Sequence, residues 1–363
     1  MRKGLKQVLL LICCITLLCS CTQTRQVESQ AYAIVVGIDS NDVGEITLAA
    51  KIPVIAGSQS EGSSSKSSYK QFSASGDNYS TALDMLHRAA PRNLNLAHIE
   101  LLVISENLAK SEEFRQLLED IAQTERLYTA ARILICSGKA EEYIAQLEPA
   151  VGSRLSTDIP ESFRNSSEQG LIPDTTLADL YYGTESIYSD PMVAIGGLSE
   201  ESKSHGAVKP YTKTQFHGTA LFGDGKHVLT LTPDESILAN LICNNVKYFR
   251  YTSEGHSIEA APFRPVKVKA DLNSSPALMQ VKLYLNIGTQ EDMPNSDRLK
   301  AAFEEDIRSL IQKTQQYGVE PFGFAEAAAG KFSTIGKWMA FDWKNVYRTA
   351  DVEVEIAISR WDA

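Results

Sequence analysis

Residues 79 to 147 switch repeatedly between two hydrophobic periods, and this alternation restricts the fold more than any other feature. Ala82, Leu83, Leu86 and Ala90 recur at helical spacing over 79–90 and stop at Pro91. The run "AHIELLVIS" (97–105) follows as a buried strand. Over 111–125, Phe114, Leu117, Leu118 and Ile121 line one helical face, with Glu112 and Glu113 in the favourable first turn. "AARILIC" (130–136) predicts a strand and "KAEEYIAQL" (139–147) a helix. Strands and helices joined by such short links imply right-handed parallel crossovers. The N-terminal half is therefore expected to be a mixed sheet with packed helices.

Upstream, "AYAIVVGID" and "EITLAAKIP" flank an Asn-Asp-Val-Gly turn and predict a two-stranded hairpin. The stretch 57–68, "GSQSEGSSSKSS", carries no apolar residue and is expected to be a flexible loop. From 150 to 210 the pattern loosens around prolines 160, 173, 191 and 210, with a short helix expected over Thr176 to Tyr181. A domain boundary is placed at the polar segment "SEESKSHG" (199–206).

The last part has antiparallel character. "HGTALFGDGKHVLTLT" predicts strand, Gly-Asp-Gly turn, strand, followed by a helix over 234–242. "FRPVKVKADL" and "ALMQVKLYLNIG" predict strands, with Val281, Leu283, Leu285 and Ile287 pointing one way. A helix over 296–317 presents Leu299, Phe303, Ile307, Leu310, Ile311 and Thr314 and ends at Gly318. More helix is expected in "GFAEAAAGKFSTIGKWMAFDW", then a closing strand with Val352, Val354, Ile356 and Ile358 inward. The expected class is α+β and multi-domain: an N-terminal mixed sheet with helices, and a C-terminal antiparallel sheet with helices packed on one face.

The N-terminus has its own logic. Arg2, Lys3 and Lys6 precede eleven uncharged residues, Val8 to Leu18, and small Ser20 precedes Cys21. That is the layout of a secretory signal, and the apolar run is too short to span a bilayer. "Leu18-Cys19-Ser20-Cys21" resembles the lipobox of bacterial lipoproteins. The resemblance implies a diacylglycerol thioether on Cys21, which becomes the new N-terminus. The alternative is a non-lipidated signal with incidental cysteines. The expected segments are a signal peptide at 1–20, an N-terminal domain at 21–205 and a C-terminal domain at 206–363.

Loss of 1–20 leaves 343 residues with 32 basic against 45 acidic side chains, a net charge of −13. This disfavours nucleic acid, which requires clustered Lys and Arg, and charge-driven adhesion to anionic lipid. Three cysteines remain, Cys21, Cys136 and Cys243. The last two end apolar runs and read as small buried residues, with a disulfide between them left open.

No catalytic motif stands out. Gly-x-Ser-x-Gly, His-Glu-x-x-His, P-loop and dinucleotide fingerprints are all missing from the sequence. His217 and His227 flank the predicted hairpin turn and are the one histidine pair with a claim to metal. His98 opens a strand and reads as structural. Phe322, Phe324, Trp338 and Trp343 concentrate aromatic surface near the C-terminus. They are either a partner or ligand surface or the anchor of helices on the sheet. No enzyme activity, metal or cofactor is expected.

Taken together, the chain resembles the germinant-receptor C-subunit family, Ger(x)C, lipoproteins of spore germination receptors. The resemblance rests on "Ala33-Ile34-Val35-Val36-Gly37-Ile38-Asp39", "Pro91-Arg92" with His98, and "Ile104-Ser105-Glu106-Asn107-Leu108-Ala109". It continues in "Gly218-Thr219-Ala220-Leu221-Phe222" with Glu235, and in "Phe322-Gly323-Phe324-Ala325-Glu326" with Trp343. Departures are Thr22-Gln23 where the family often has Trp-Asp, Thr230 in place of a strand glycine, and Ala325 in place of a second glycine. The resemblance implies a multi-domain α+β protein held by lipid on the outer face of the spore's inner membrane. It further implies assembly with two integral-membrane subunits, of A- and B-type, into a nutrient receptor. Only Cys21 carries over as a functional residue. The rival readings are a substrate-binding lipoprotein of a transporter, which predicts two similar lobes, and a secreted hydrolase with a dispersed site.

Overall fold

Two strands that pair as a hairpin begin the main sheet. In the computed structural model β2 (Val35–Ser40) and β3 (Ile46–Val54) pair antiparallel from Val35↔Lys51 to Ser40↔Ile46, after a short β1 (Gln30–Tyr32). The structure describes residues 30–41, 43–54, 68–123, 130–152, 154–199, 213–253, 256–288 and 296–361. Cys21, the 57–68 loop (all but its last residue) and most of the 199–206 boundary lie outside the described residues.

β4 (Ser68–Gly76) adds to β3, and α1 (Tyr79–Ala89) follows, capped where the Asn78 side chain accepts the Thr81 N–H at 2.9 Å. β5 (Asn93–Asn95) pairs parallel with β1. β6 (Leu101–Ser105) then lies parallel to β2, and every one of its residues is buried. Helices α2 (Glu106–Lys110) and α3 (Phe114–Ala122) carry the chain to β7 (Arg132–Ser137), parallel to β6. The expected crossover is therefore present, and its strands read as continuous apolar runs because both faces are covered.

Helix α4 (Ala140–Gln146) has seven residues, too few to hold itself together. The sheet clamps it at both ends. The Asp39 carboxylate accepts the N–H groups of Ala140 and Glu141 at 2.7 and 2.8 Å. The Lys51 ammonium donates to the carbonyls of Ile144, Ala145 and Leu147 at 2.6, 3.3 and 2.5 Å. Gly37 lets the helix approach, since an added Cβ would sit 3.3 Å from the Ala140 carbonyl.

The segment from 150 holds more order than its prolines suggest. Helix α5 (Leu155–Glu168) runs through Pro160 and buries Leu155, Ile159 and Phe163. Helix α6 (Leu177–Thr184) starts at a Thr176–Asp179 capping box. β8 (Met192–Leu198) lies parallel to β7. The Gly-Asp-Gly hairpin forms as expected, from β9 (Thr214–Gly223) and β10 (Lys226–Leu231), and β9 pairs antiparallel with β8. The eight-stranded mixed sheet thus has the order β10-β9-β8-β7-β6-β2-β3-β4.

Strands β8 and β9 face two cores at once, and β10 adds to one of them. Met192, Leu221, Leu229 and Leu231 pack into the C-terminal core. Val193, Ile195, Ala220 and Phe222, on the opposite face, pack into the N-terminal core. The two-residue period of a strand divides its side chains between the two.

Helix α7 (Pro233–Ile242) opens with the Thr232–Glu235 capping box and Pro233 at its first position. The second sheet contains β11 (Phe249–Ser253), β12 (His256–Pro262), β13 (Lys267–Asp271) and β14 (Leu278–Gly288). Alternate residues of β14, from Met279 to Ile287, are buried. Helix α8 (Ser296–Tyr317) buries Leu299, Phe303, Ile307, Leu310, Ile311 and Thr314, the predicted face. Three short helices, α9 (Phe324–Ala329), α10 (Ile335–Met339) and α11 (Trp343–Thr349), precede β15 (Asp351–Trp361). β12 and β13 pair antiparallel with β14, whereas β15 pairs parallel to it, Leu278↔Asp351 through Gly288↔Trp361. The long helical return from β14 brings the chain back in the same direction, which a tight turn cannot do.

Candidate functional site

The C-terminal aromatics assemble into one wall of a cleft. Glu320 starts the construction. It is 3% exposed, and its carboxylate accepts the N–H groups of Phe322, Phe324 and Ala325 at 2.7, 3.2 and 2.9 Å. Gly323 sits at φ +87°, a conformation that suits glycine, and so both flanking phenylalanines turn inward. Asp190 meets this turn from the segment that leads into β8 of the main sheet. Its N–H donates to the Glu320 carbonyl at 2.9 Å, and its carboxylate accepts the Glu320 N–H at 2.7 Å.

Both carboxyls are perturbed. Burial pushes Glu320 up to about 7 against its three backbone donors, with the nearby Asp190 charge adding to the rise. Burial pushes Asp190 up to about 6, opposed by the Glu320 N–H and by Lys344.

Trp338 is the hub of the aromatic wall. It is 4% exposed, and its Nε1–H donates to the Ile187 carbonyl at 3.1 Å. Its ring stacks with Tyr188 at 6.4 Å between centroids and meets Trp343 at 5.6 Å. Trp343 in turn stacks on Tyr347 at 6.0 Å, and the Tyr347 hydroxyl lies 2.7 Å from Thr314 Oγ1. The cleft between the 184–190 segment and these residues has a volume of about 590 Å³, a size typical of small-molecule sites. Lys344 pairs with Asp224 across it, and Arg115 pairs with Glu185 nearby. Trp338 ties α10 to the 184–190 segment through Ile187 and Tyr188, and the same cluster lines the cavity.

Other predicted residues have structural roles. Asp39 of the Gly-Ile-Asp run caps α4, and Glu235 caps α7 while pairing with Lys313 of α8 at 2.7 Å. Burial pushes Glu235 up, but the Lys313 and Thr232 bonds outweigh it and leave it below its ordinary value. His98 packs on the Tyr32 ring at 5.4 Å. His227 faces Phe222 across the hairpin, five positions along β9 from His217, so the two do not form a pair. Burial pushes His227 down to about 4, and its Nε2 lies 3.0 Å from Thr230 Oγ1. Among the described residues, no group of three or more His, Cys, Asp or Glu side chains is placed to hold a metal. Cys136 and Cys243 are free thiols in separate cores. No described helix is long and apolar enough to cross a membrane.

Asp190 and Glu320 went unseen in the sequence because 130 positions separate them and neither sits in a local motif. The only cue was position. Each directly precedes a proline, and Glu320 leads into Phe322-Gly323-Phe324.

Comparison with known proteins is consistent along the chain. Residues 23–197 match the sequence model of the spore germination protein N-terminal domain, and residues 217–359 that of the spore germination B3/GerAC-like C-terminal domain. Spore germination protein KC of Bacillus subtilis (strain 168) is 22% identical, over 99% of this chain and 96% of that protein. The crystal structure of the GerBC protein superposes with a TM-score of 0.55 at 12% identity, over 90% of this chain and 96% of that one. The shared fold includes both sheets.

Proposed function

Because the chain belongs to the GerAC-like family of spore germination proteins, we propose that it is the lipid-anchored, non-enzymatic C-type subunit of a nutrient germinant receptor. The observation that carries this reading is the order of the parts. A lipobox-like Cys21 stands immediately before two germination domains matched in tandem, 23–197 and 217–359. Two or more acyl chains on Cys21 hold the acidic body at the outer face of the membrane, where one chain would be marginal. Confinement there raises its effective concentration toward two integral-membrane subunits of A- and B-type, so modest contacts suffice for assembly. The sequence units 21–205 and 206–363 act as one body in this arrangement. The dissimilarity of the two sheets favours this reading over the two like lobes of a transporter binding protein.

The test is deletion of the gene in a strain lacking redundant paralogues, followed by nutrient-triggered germination. Loss of the response to at least one nutrient is expected. Normal germination with every nutrient would remove the receptor reading. Separately, Cys21→Ala is expected to leave the protein unprocessed or released from membranes. Unchanged maturation and retention would remove the anchor.

A further inference from the structure

The cleft at the junction of the two sheets has an unusual charge balance for its chemistry. Its two cations are already engaged, Lys344 by Asp224 and Arg115 by Glu185. Asp190 lines the same cavity and has no ion pair within 4 Å among the described residues, Lys344 acting on it only from further off. Trp343 and Tyr188, both partly exposed, line the cavity as well. A carboxylate beside aromatic surface is the combination that recognises a cation carried on an organic body. The carboxylate supplies the charge, and the ring supplies a negative face and apolar contact.

A bare metal ion fits poorly, because the described residues offer no cluster of three ligating side chains. A neutral apolar ligand would desolvate the Asp190 carboxylate further and bring it no counter-charge beyond the Glu320 N–H and the more distant Lys344. The cavity volume of about 590 Å³ suits a molecule of small-metabolite size.

We propose that this cleft binds a small organic ammonium ion, its charge set against Asp190 and its body against Trp343. Asp190 comes from the segment before β8 and Trp343 from the start of α11, so the occupant touches both halves of the chain. Binding there tightens the junction already held by the two hydrogen bonds between Asp190 and Glu320, one of them to the Asp190 carboxylate. The proposal does not depend on the lipid anchor or on receptor assembly.

The test uses the full mature chain and two probes of nearly equal shape, 2-phenylethylammonium and neutral 2-phenylethanol. The chain has three tryptophans, and Trp338 and Trp343 line the cleft, so tryptophan fluorescence reads occupancy. Titration calorimetry gives the affinity independently. The ammonium probe is expected to bind saturably and about tenfold or more tighter than the alcohol, the scale of a desolvated cation–π contact or charge pair. Asp190→Asn is expected to abolish that preference, and Asp190→Glu to restore part of it. Equal affinity for the two probes, no saturable binding of the ammonium, or an unchanged preference in Asp190→Asn would each overturn the proposal. Should Asp190→Asn fail to fold, the two-probe comparison on the unaltered chain still decides the matter.

Discussion

Asp39 and Lys51 grip opposite ends of the same seven-residue helix, α4, from adjacent strands of the main sheet. The register places them on one sheet face, since Lys51 pairs with Val35, four residues before Asp39. The negative side chain meets the helix N-terminus and the positive one its C-terminus, the favourable sense for the helix dipole. A helix this short forms because its end groups are satisfied by distant residues.

Lys51→Met keeps the side-chain length but leaves three carbonyls without their donor. Lys51 is only 5% exposed, so water does not readily replace it. A loss of about 2–4 kcal/mol is expected from denaturant unfolding. Asp39→Asn, which retains an acceptor, is expected to cost less. Equal stability of Lys51→Met and the parent would contradict the clamp.

Glu320 gives the fold a pH dependence. Its folded value, about 7, lies above that of an unfolded glutamate, so the folded state binds more protons between them. Stability is expected to fall as pH rises from about 4.5 to 7, by at most about 3 kcal/mol, and then to level off. Asp190, raised to about 6, adds to the same slope. Glu320→Gln is expected to flatten it in thermal melts across that range. An identical slope in the variant would show that the carboxyl is not its source.

Gly218 of the Gly-Thr-Ala run sits at φ +136°, and an added Cβ would lie 2.2 Å from the Leu231 carbonyl oxygen. Gly218→Ala therefore forces the β9–β10 ladder apart as well as straining the backbone. A destabilisation of several kcal/mol is expected, large for a single methyl group. A melting temperature unchanged from the parent would rule out this close approach.

Burial pushes both the Cys136 and the Cys243 thiols up to about 12. Neither is expected to react with a thiol reagent at neutral pH until the chain is unfolded, when both should label. Rapid labelling of the native protein would mean that one of the cores opens.

Long periodic elements were legible in the sequence. The face of α8 and the alternation of β14 emerge with the predicted residues inward, because one period persists over 22 and 11 residues respectively. Helix α5 was hidden by Pro160. Leu155, Ile159 and Phe163 keep helical spacing, and their burial outweighs the lost backbone bond. β8 was hidden by Gly196 and Gly197, weak strand formers that are tolerated where neighbouring strands crowd them on both sides. The cleft was not legible at all. Asp190, Glu320 and Trp343 share no spacing, and only the docking of the two sheets brings them together.

The two strands that look into both cores, β8 and β9, make the molecule hard to dissect. A fragment ending before β9 would bare the edge of β8 together with the apolar side chains that β9 covers. A fragment beginning at β9 would carry a greasy ribbon with no mate for Ala220 and Phe222. Neither half is a free-standing building block, and a mechanical pull on one is transmitted to the other through a party wall rather than a hinge.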